Sequence, residues 1–151
     1  MDSAAPADIL AFWFGRTGES GFGQPRGEWF RKDAGFDDQI RSRFLPSVEA
    51  ALAGQLAAWA AERQGLLALL ILLDQFPRNL FRGEAKAFAG DPQARQLAET
   101  ALAKGWDKGL SAVEKLFVYL PFEHSEVLAD QECSVALFSA LAAEHPGCDG
   151  F

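Results

Sequence analysis

Cysteine is scarce in this chain: only Cys133 and Cys148 occur among 151 residues, and their spacing suits neither a metal site nor a redox couple. The simplest account is two reduced thiols in a cytoplasmic protein, since disulfides rarely persist in that compartment. Long apolar runs are missing as well. The longest covers residues 66–73, well short of the ~20 residues that cross a bilayer. The opening Met1-Asp2-Ser3-Ala4-Ala5-Pro6 lacks the basic start of a secretory signal. Positive charge is in deficit, with 14 Lys and Arg against 21 Asp and Glu, a formal net charge of −7. That excludes a general nucleic-acid binder, which needs a basic face to displace counterions. No segment alternates convincingly as a strand. No P-loop, nucleophile elbow or dinucleotide fingerprint occurs, and Gly21-Phe22-Gly23 lacks the flanking strand such a motif requires.

What remains is apolar and helical. Residues of the apolar types make up 49% of the chain, with 13 Phe and 4 Trp, which excludes disorder. The length supports one helical domain over 1–151. Pro6 followed by Ile9, Leu10, Trp13 and Phe14 reads as a first helix ended by Gly15. A glycine-rich loop follows within 15–35, and Trp29-Phe30-Arg31-Lys32 is expected to pin it back onto the core. Phe36, Ile40, Phe44 and Val48 form one helical stripe, with a kink or break expected at Pro46 and an end at Gly54. A short segment around Trp59 leads to residues 66–73, apolar on every side and therefore a central helix packed all round. Asp91 as cap, Pro92, and the stripe Ala94, Leu97, Ala98, Ala101 and Leu102 mark the next helix, closed by Gly105. Ser111 with Glu114 forms a capping box that opens a helix expected to stop at Pro121. Ser125 is read as the cap of a last helix with the stripe Leu128, Val135, Phe138 and Leu141, ending near Pro146. The fold class is thus all-α, with short connections implying stacked antiparallel hairpins.

Two polar clusters interrupt this pattern. In the first, Asp74-Gln75-Phe76-Pro77-Arg78-Asn79-Leu80-Phe81-Arg82-Gly83, polar chemistry begins abruptly after the apolar run. Pro77 is expected to turn the chain and bring Arg78 or Arg82 back onto Asp74, because unpaired buried charge is costly. Such arginines could be structural, or could clamp a carboxylate or phosphate with their bidentate forks. The second cluster is Pro121-Phe122-Glu123-His124-Ser125-Glu126, expected on a connection between helices. His124 could act as a general base, a metal ligand or a capping residue. A metal would need Glu123, His124 or Glu126 plus Asp74 or Asp91, and without a His-x-x-x-His or Glu-x-x-His spacing no metal and no cofactor is expected. Gln131 falls on the apolar stripe of the last helix and, if buried, needs partners in this network, to which Tyr119 could also donate. His145 is expected to be exposed. The four tryptophans read as core anchors.

These residues carry a family likeness. Ile9-Leu10-Ala11-Phe12-Trp13-Phe14-Gly15, Trp29-Phe30, Phe36-Asp37, the run Leu72 through Gly83, Ala87-Phe88-Ala89 with Asp91, and Pro121 through Glu126 with Gln131 resemble the bacterial "domain of unknown function 924" family. The likeness runs from Ile9 to Leu141. It implies a tetratricopeptide-repeat-like helical fold in a cytoplasmic bacterial protein, and no known reaction. It also implies a further histidine- and arginine-rich segment beyond the last helix, which this chain lacks.

Three functions stay open at this level. The first is binding of a small anionic molecule or peptide through Asp74, Arg78, Asn79, Arg82, His124, Glu126 and Gln131. The second is an acid–base, hydrolase-like enzyme with His124 or Glu123 as catalytic base and Arg78 as electrostatic stabiliser. The third is a protein-interaction module whose polar cluster is purely structural. Nothing in the pattern specifies an oligomeric state.

Overall fold

The computed structural model describes residues 4–15, 29 and 32–144. Among them are seven α-helices and no strand: α1 (Pro6–Phe14), α2 (Ala34–Leu52), α3 (Arg63–Leu70), α4 (Phe76–Leu80), α5 (Asp91–Ala103), α6 (Ala112–His124) and α7 (Leu128–Glu144). The expectations for Phe30, Arg31, His145, Pro146, Cys148 and most of the 15–35 loop lie outside the described residues. At the end of that loop, α2 begins at Ala34, capped by Asp33 through the Phe36 N–H. No helix among the described residues is long and apolar enough to cross a membrane.

The apolar run becomes the centre of the molecule. Every residue from 66 to 73 is at most 3% exposed. α1, α5 and α6 pack around α3, while α2 lies against α4 and the segment joining α3 to α4. Burying one such leucine contributes roughly 1.5–3 kcal/mol, so this single segment accounts for a large share of the core. At one end of the core the aromatic side chains gather. Trp13 stacks on Trp29 at 5.7 Å and meets Phe76 and Phe117 edge-on. Trp29 also donates its Nε1–H to the Trp13 carbonyl at 3.1 Å, the pinning expected of it. The stripe Phe36, Ile40, Phe44 and Val48 is buried, and α2 runs unbroken through Pro46.

Two prolines behave differently from expectation. Pro77 does not turn the chain. Ile71–Gln75 form a π turn, with the Phe76 N–H bonded to the Ile71 carbonyl, and α4 continues with Pro77 in its first turn. A first-turn proline lacks only an N–H that needs no helical partner there, so the wider turn lets the helix resume. The reversal comes later, at Gly83, whose φ of 80° is in the left-handed region. Pro121 does not stop α6 either: the helix runs on to His124. The Ser111–Glu114 capping box opens α6 as expected, and Gly105 (φ 70°) follows α5 as expected. Asp91, however, is the first residue of α5 rather than its cap, which is Gly90. In α7 the expected stripe is wrong at two positions. Leu128 and Val135 face solvent, while Asp130, Ser134 and Leu141 are buried.

Candidate functional site

The π turn decides where Asp74 points. It inserts an extra residue into the helical register, and such turns are frequent at functional sites. Asp74 is 1% exposed, and its carboxylate is fully engaged. Oδ2 accepts from Gln75 Nε2 at 2.8 Å. Oδ1 accepts from Arg78 at 3.0 Å and meets His124 Nδ1 at 2.8 Å. The Arg78 guanidinium also bonds the Asp74 carbonyl and spans both oxygens of Asp91, at 2.8 and 3.0 Å. A buried charge is tolerable only with this degree of pairing.

Three parts of the chain deliver these groups. Arg78 comes from α4, one turn after Asp74. Asp91 is brought up by the close approach of Gly90 to the π turn: a Cβ on Gly90 would lie 2.2 Å from the Leu73 carbonyl oxygen. Pro77 has no N–H to offer that carbonyl, four residues back. His124 comes from the last turn of α6. Because α6 passes through Pro121, the proline and His124 sit three residues apart on one helix face, and both look into the same cleft.

That cleft has a volume of about 820 Å³. It is lined by the polar side chains Arg78, Asp91, His124, Ser125 and Asp130 and by the apolar Phe88, Pro92, Pro121 and Val127, of which Phe88, Pro92 and Val127 are exposed and Pro121 is buried. A second network contributes to the same lining. Arg95 holds both oxygens of Asp130 at 3.0 and 2.8 Å, and Ser125 donates to Asp130 at 2.7 Å while accepting from the Val127 N–H. The Arg95 hydrogen bonds, then that of Ser125, hold the Asp130 carboxyl below the usual carboxylate range, and Asp130 in turn raises Arg95. Burial pushes the nearby Cys133 thiol up.

The residues expected from the sequence divide accordingly. Asp74, Arg78 and His124 meet directly, and Glu126 lines the same cleft. Asn79 and Arg82 do not join them: both bond Asp37, at 2.9 and 2.8 Å, and tie α4 to α2. Arg78 and Asn79 are adjacent and project from different faces of α4, and Arg82 lies beyond the end of that helix at Leu80, in the turn that carries it back to Asp37. Glu123 is exposed and is not part of the cleft lining. Gln131 is exposed rather than buried, and its amide donates to the Glu123 carbonyl at 2.7 Å and to that of Ser125, tying the connection to α7. Ser125 starts that connection rather than capping α7, which begins at Leu128. Tyr119 donates to Asp107 at 2.9 Å. Arg95 and Asp130 were not singled out beforehand. Asp130 on the inward face of a helix was the one available signal, and it was masked by a stripe drawn through Leu128 and Val135.

Asp74, Asp91 and His124 also offer ligand atoms that lie within 4.8 Å of one another, the one grouping of its kind among the described residues. Arg78 already places a cation between the two carboxylates. A metal ion there would have to displace the guanidinium, so the donor set fits a metal poorly.

With this geometry in view, comparison with known proteins places the chain. Residues 9–149 match the family model of bacterial proteins of unknown function, DUF924, and the chain belongs to that family. A solved structure of a protein of unknown function from Agrobacterium tumefaciens is 40% identical and superposes with a TM-score of 0.80. The match covers 90% of this chain and 73% of that one. No curated protein matches the chain.

Proposed function

We propose that the cleft receives a small molecule and that His124, oriented by Asp74, exchanges a proton with it. The Asp74–His124 contact carries this reading. A carboxylate only accepts, so at 2.8 Å the imidazole must present Nδ1–H to Asp74. In the neutral ring Nε2, across from Nδ1, then holds a lone pair, and it has no protein partner among the described residues. An imidazole fixed in this tautomer at the wall of a cleft is suited to take a proton from a hydroxyl, water or amine and return it later. Arg78, bonded to the same Asp74 oxygen, supplies positive charge beside any negative charge that develops. The chemistry is general acid–base transfer, of the kind hydrolytic enzymes use, and Glu123 has no place in it.

The alternative of a bound anion held by arginine forks finds less support. Arg82 serves Asp37, and Arg78 and Arg95 are each spanned by a carboxylate. An anion would have to compete with Asp91, which also enjoys the positive end of α5. A purely structural cluster would need no adjoining space, and the 820 Å³ cleft weighs against it.

Nitrogen NMR of the histidine rings tests the proposal directly, because the chain has only 2 histidines. Neutral His124 is expected to carry its proton on Nδ1. A ring protonated on Nε2 would remove Asp74 as its orienter, and the proposal with it. Among small esters and amides, any turnover found should fall by about 10²–10⁴ in His124→Gln.

A further inference from the structure

We infer that the cleft is built for a cationic ligand with an apolar body, an arylalkyl amine in chemical class; this rests on the reading of the cleft as a small-molecule site. Four large apolar residues are notably exposed among the described residues, and two of them, Phe88 at 57% and Val127 at 59%, line this cleft. Pro92 adds exposed apolar surface to the same cleft, and the buried Pro121 adds apolar lining. Exposed apolar surface gathered with polar side chains in one concave site is the usual signature of a ligand pocket.

The charges select the head group. Two guanidinium groups, Arg78 and Arg95, reach the cleft, and each is already spanned by a carboxylate. Against these two cations stand four acids, Asp91, Glu126 and Asp130 in the lining and Asp74 behind it, an excess of two formal negative charges. Glu126 is the uncommitted one: it is exposed and makes no ion pair or hydrogen bond among the described residues. Phe88 adds a second attraction. Its ring already receives the Arg78 guanidinium at 5.2 Å from the centroid, and more than half of the residue remains open to a second cation. An ammonium group would therefore meet an aromatic face and unneutralised carboxylate, while its hydrocarbon part covers the apolar lining. An anion would meet the same carboxylates and be repelled.

The test compares phenethylamine, phenethyl alcohol and phenylacetate, which share a ring and differ in charge, by NMR titration of the full chain. Phenethylamine is expected to bind tightest and to shift the His124 ring signals, and phenylacetate to bind weakest. Glu126→Gln should weaken the amine by about fivefold, the size of an exposed ion pair, and leave the alcohol unchanged. Because Glu126 is exposed and unpaired, that variant keeps its fold. Phenylacetate binding as tightly as the amine, or none of the three binding at millimolar concentration, would overturn the inference. The underlying reading fails separately. Amine binding to a protein whose His124 is protonated on Nε2 would keep the cation site and remove proton transfer. The expected tautomer with phenylacetate preferred would do the reverse.

Discussion

Gly90 illustrates how one small residue positions a charged one. Its backbone approaches the Leu73 carbonyl so closely that an alanine Cβ would fall 2.2 Å from the oxygen, a backbone atom that cannot swing aside. Gly90→Ala should destabilise the fold by about 1–3 kcal/mol, as overpacking does, and loosen Asp91 from Arg78. Gly35→Ala is the control, since its Cβ would lie 3.5 Å from Asp33 and would sit in a helix. That change is expected to be neutral or to stabilise by about 0.4–1 kcal/mol. Thermal melts of both variants check the pair, and equal losses would mean that the Gly90 approach is relaxed without cost. At Asp130 the chemistry is acid-sensitive. Its carboxyl is held low in the folded state by Arg95 and Ser125. The stabilisation is therefore full above the ordinary carboxylate value of about 3.9 and is lost as pH falls through the lower folded value. Urea titrations from pH 7 down should show the advantage of the wild type over Asp130→Asn holding steady to about pH 5 and shrinking below about pH 4. An advantage that grew on acidification would contradict the assigned pairing.

At the scale of elements, helix continuity and helix faces separate what could be read from what could not. The central helix, the α2 stripe, the Ser111–Glu114 box and the ends at Gly15, Gly54 and Gly105 were legible, because each rests on local chemistry within a few residues. The π turn was not. Proline at position 77 signals a break only if the turn before it is α, and the wider turn over Ile71–Gln75 removes that condition. For α7 the error lay in counting apolar residues alone. Leu128 and Val135 share a heptad spacing, yet Asp130 and Ser134 face inward because Arg95 and Ser125 draw Asp130 in. A polar pair outweighed two apolar side chains in setting the inward face. The same run that supplies Asp74 and Arg78 to the cleft gives Asn79 and Arg82 to the joint between α4 and α2. Arg82→Ala should therefore cost about 1–3 kcal/mol, the penalty for under-satisfying the buried Asp37, and leave phenethylamine affinity in the cleft unchanged. Loss of ligand affinity at constant stability would place Arg82 back at the site.

Across the whole molecule, the partners that build the site are far apart in sequence. Asp74 and His124 are separated by 50 positions, Arg82 and Asp37 by 45, and Arg95 and Asp130 by 35. Local patterns reveal that a charge needs a partner, but they do not name it, which is why the two polar clusters were legible and their wiring was not. The wiring itself predicts how substitutions combine. Asp74 and Asp91 share Arg78, so Asp74→Asn and Asp91→Asn should be non-additive, with an interaction energy of about 0.5–3 kcal/mol. Once one carboxylate is gone, the guanidinium leans on the other, and the second loss strands it in a half-buried position. Arg82 and Arg95 share no partner and belong to different joints, α4 with α2 and α5 with α7. Their alanine variants should add to within about 0.5 kcal/mol. Four-member cycles by chemical denaturation measure both terms. Additivity in the first cycle would mean that Arg78 does not link the two acids. Coupling in the second would mean that the joints communicate through the buried 66–73 segment, making the cleft walls one cooperative unit rather than independently fastened pieces.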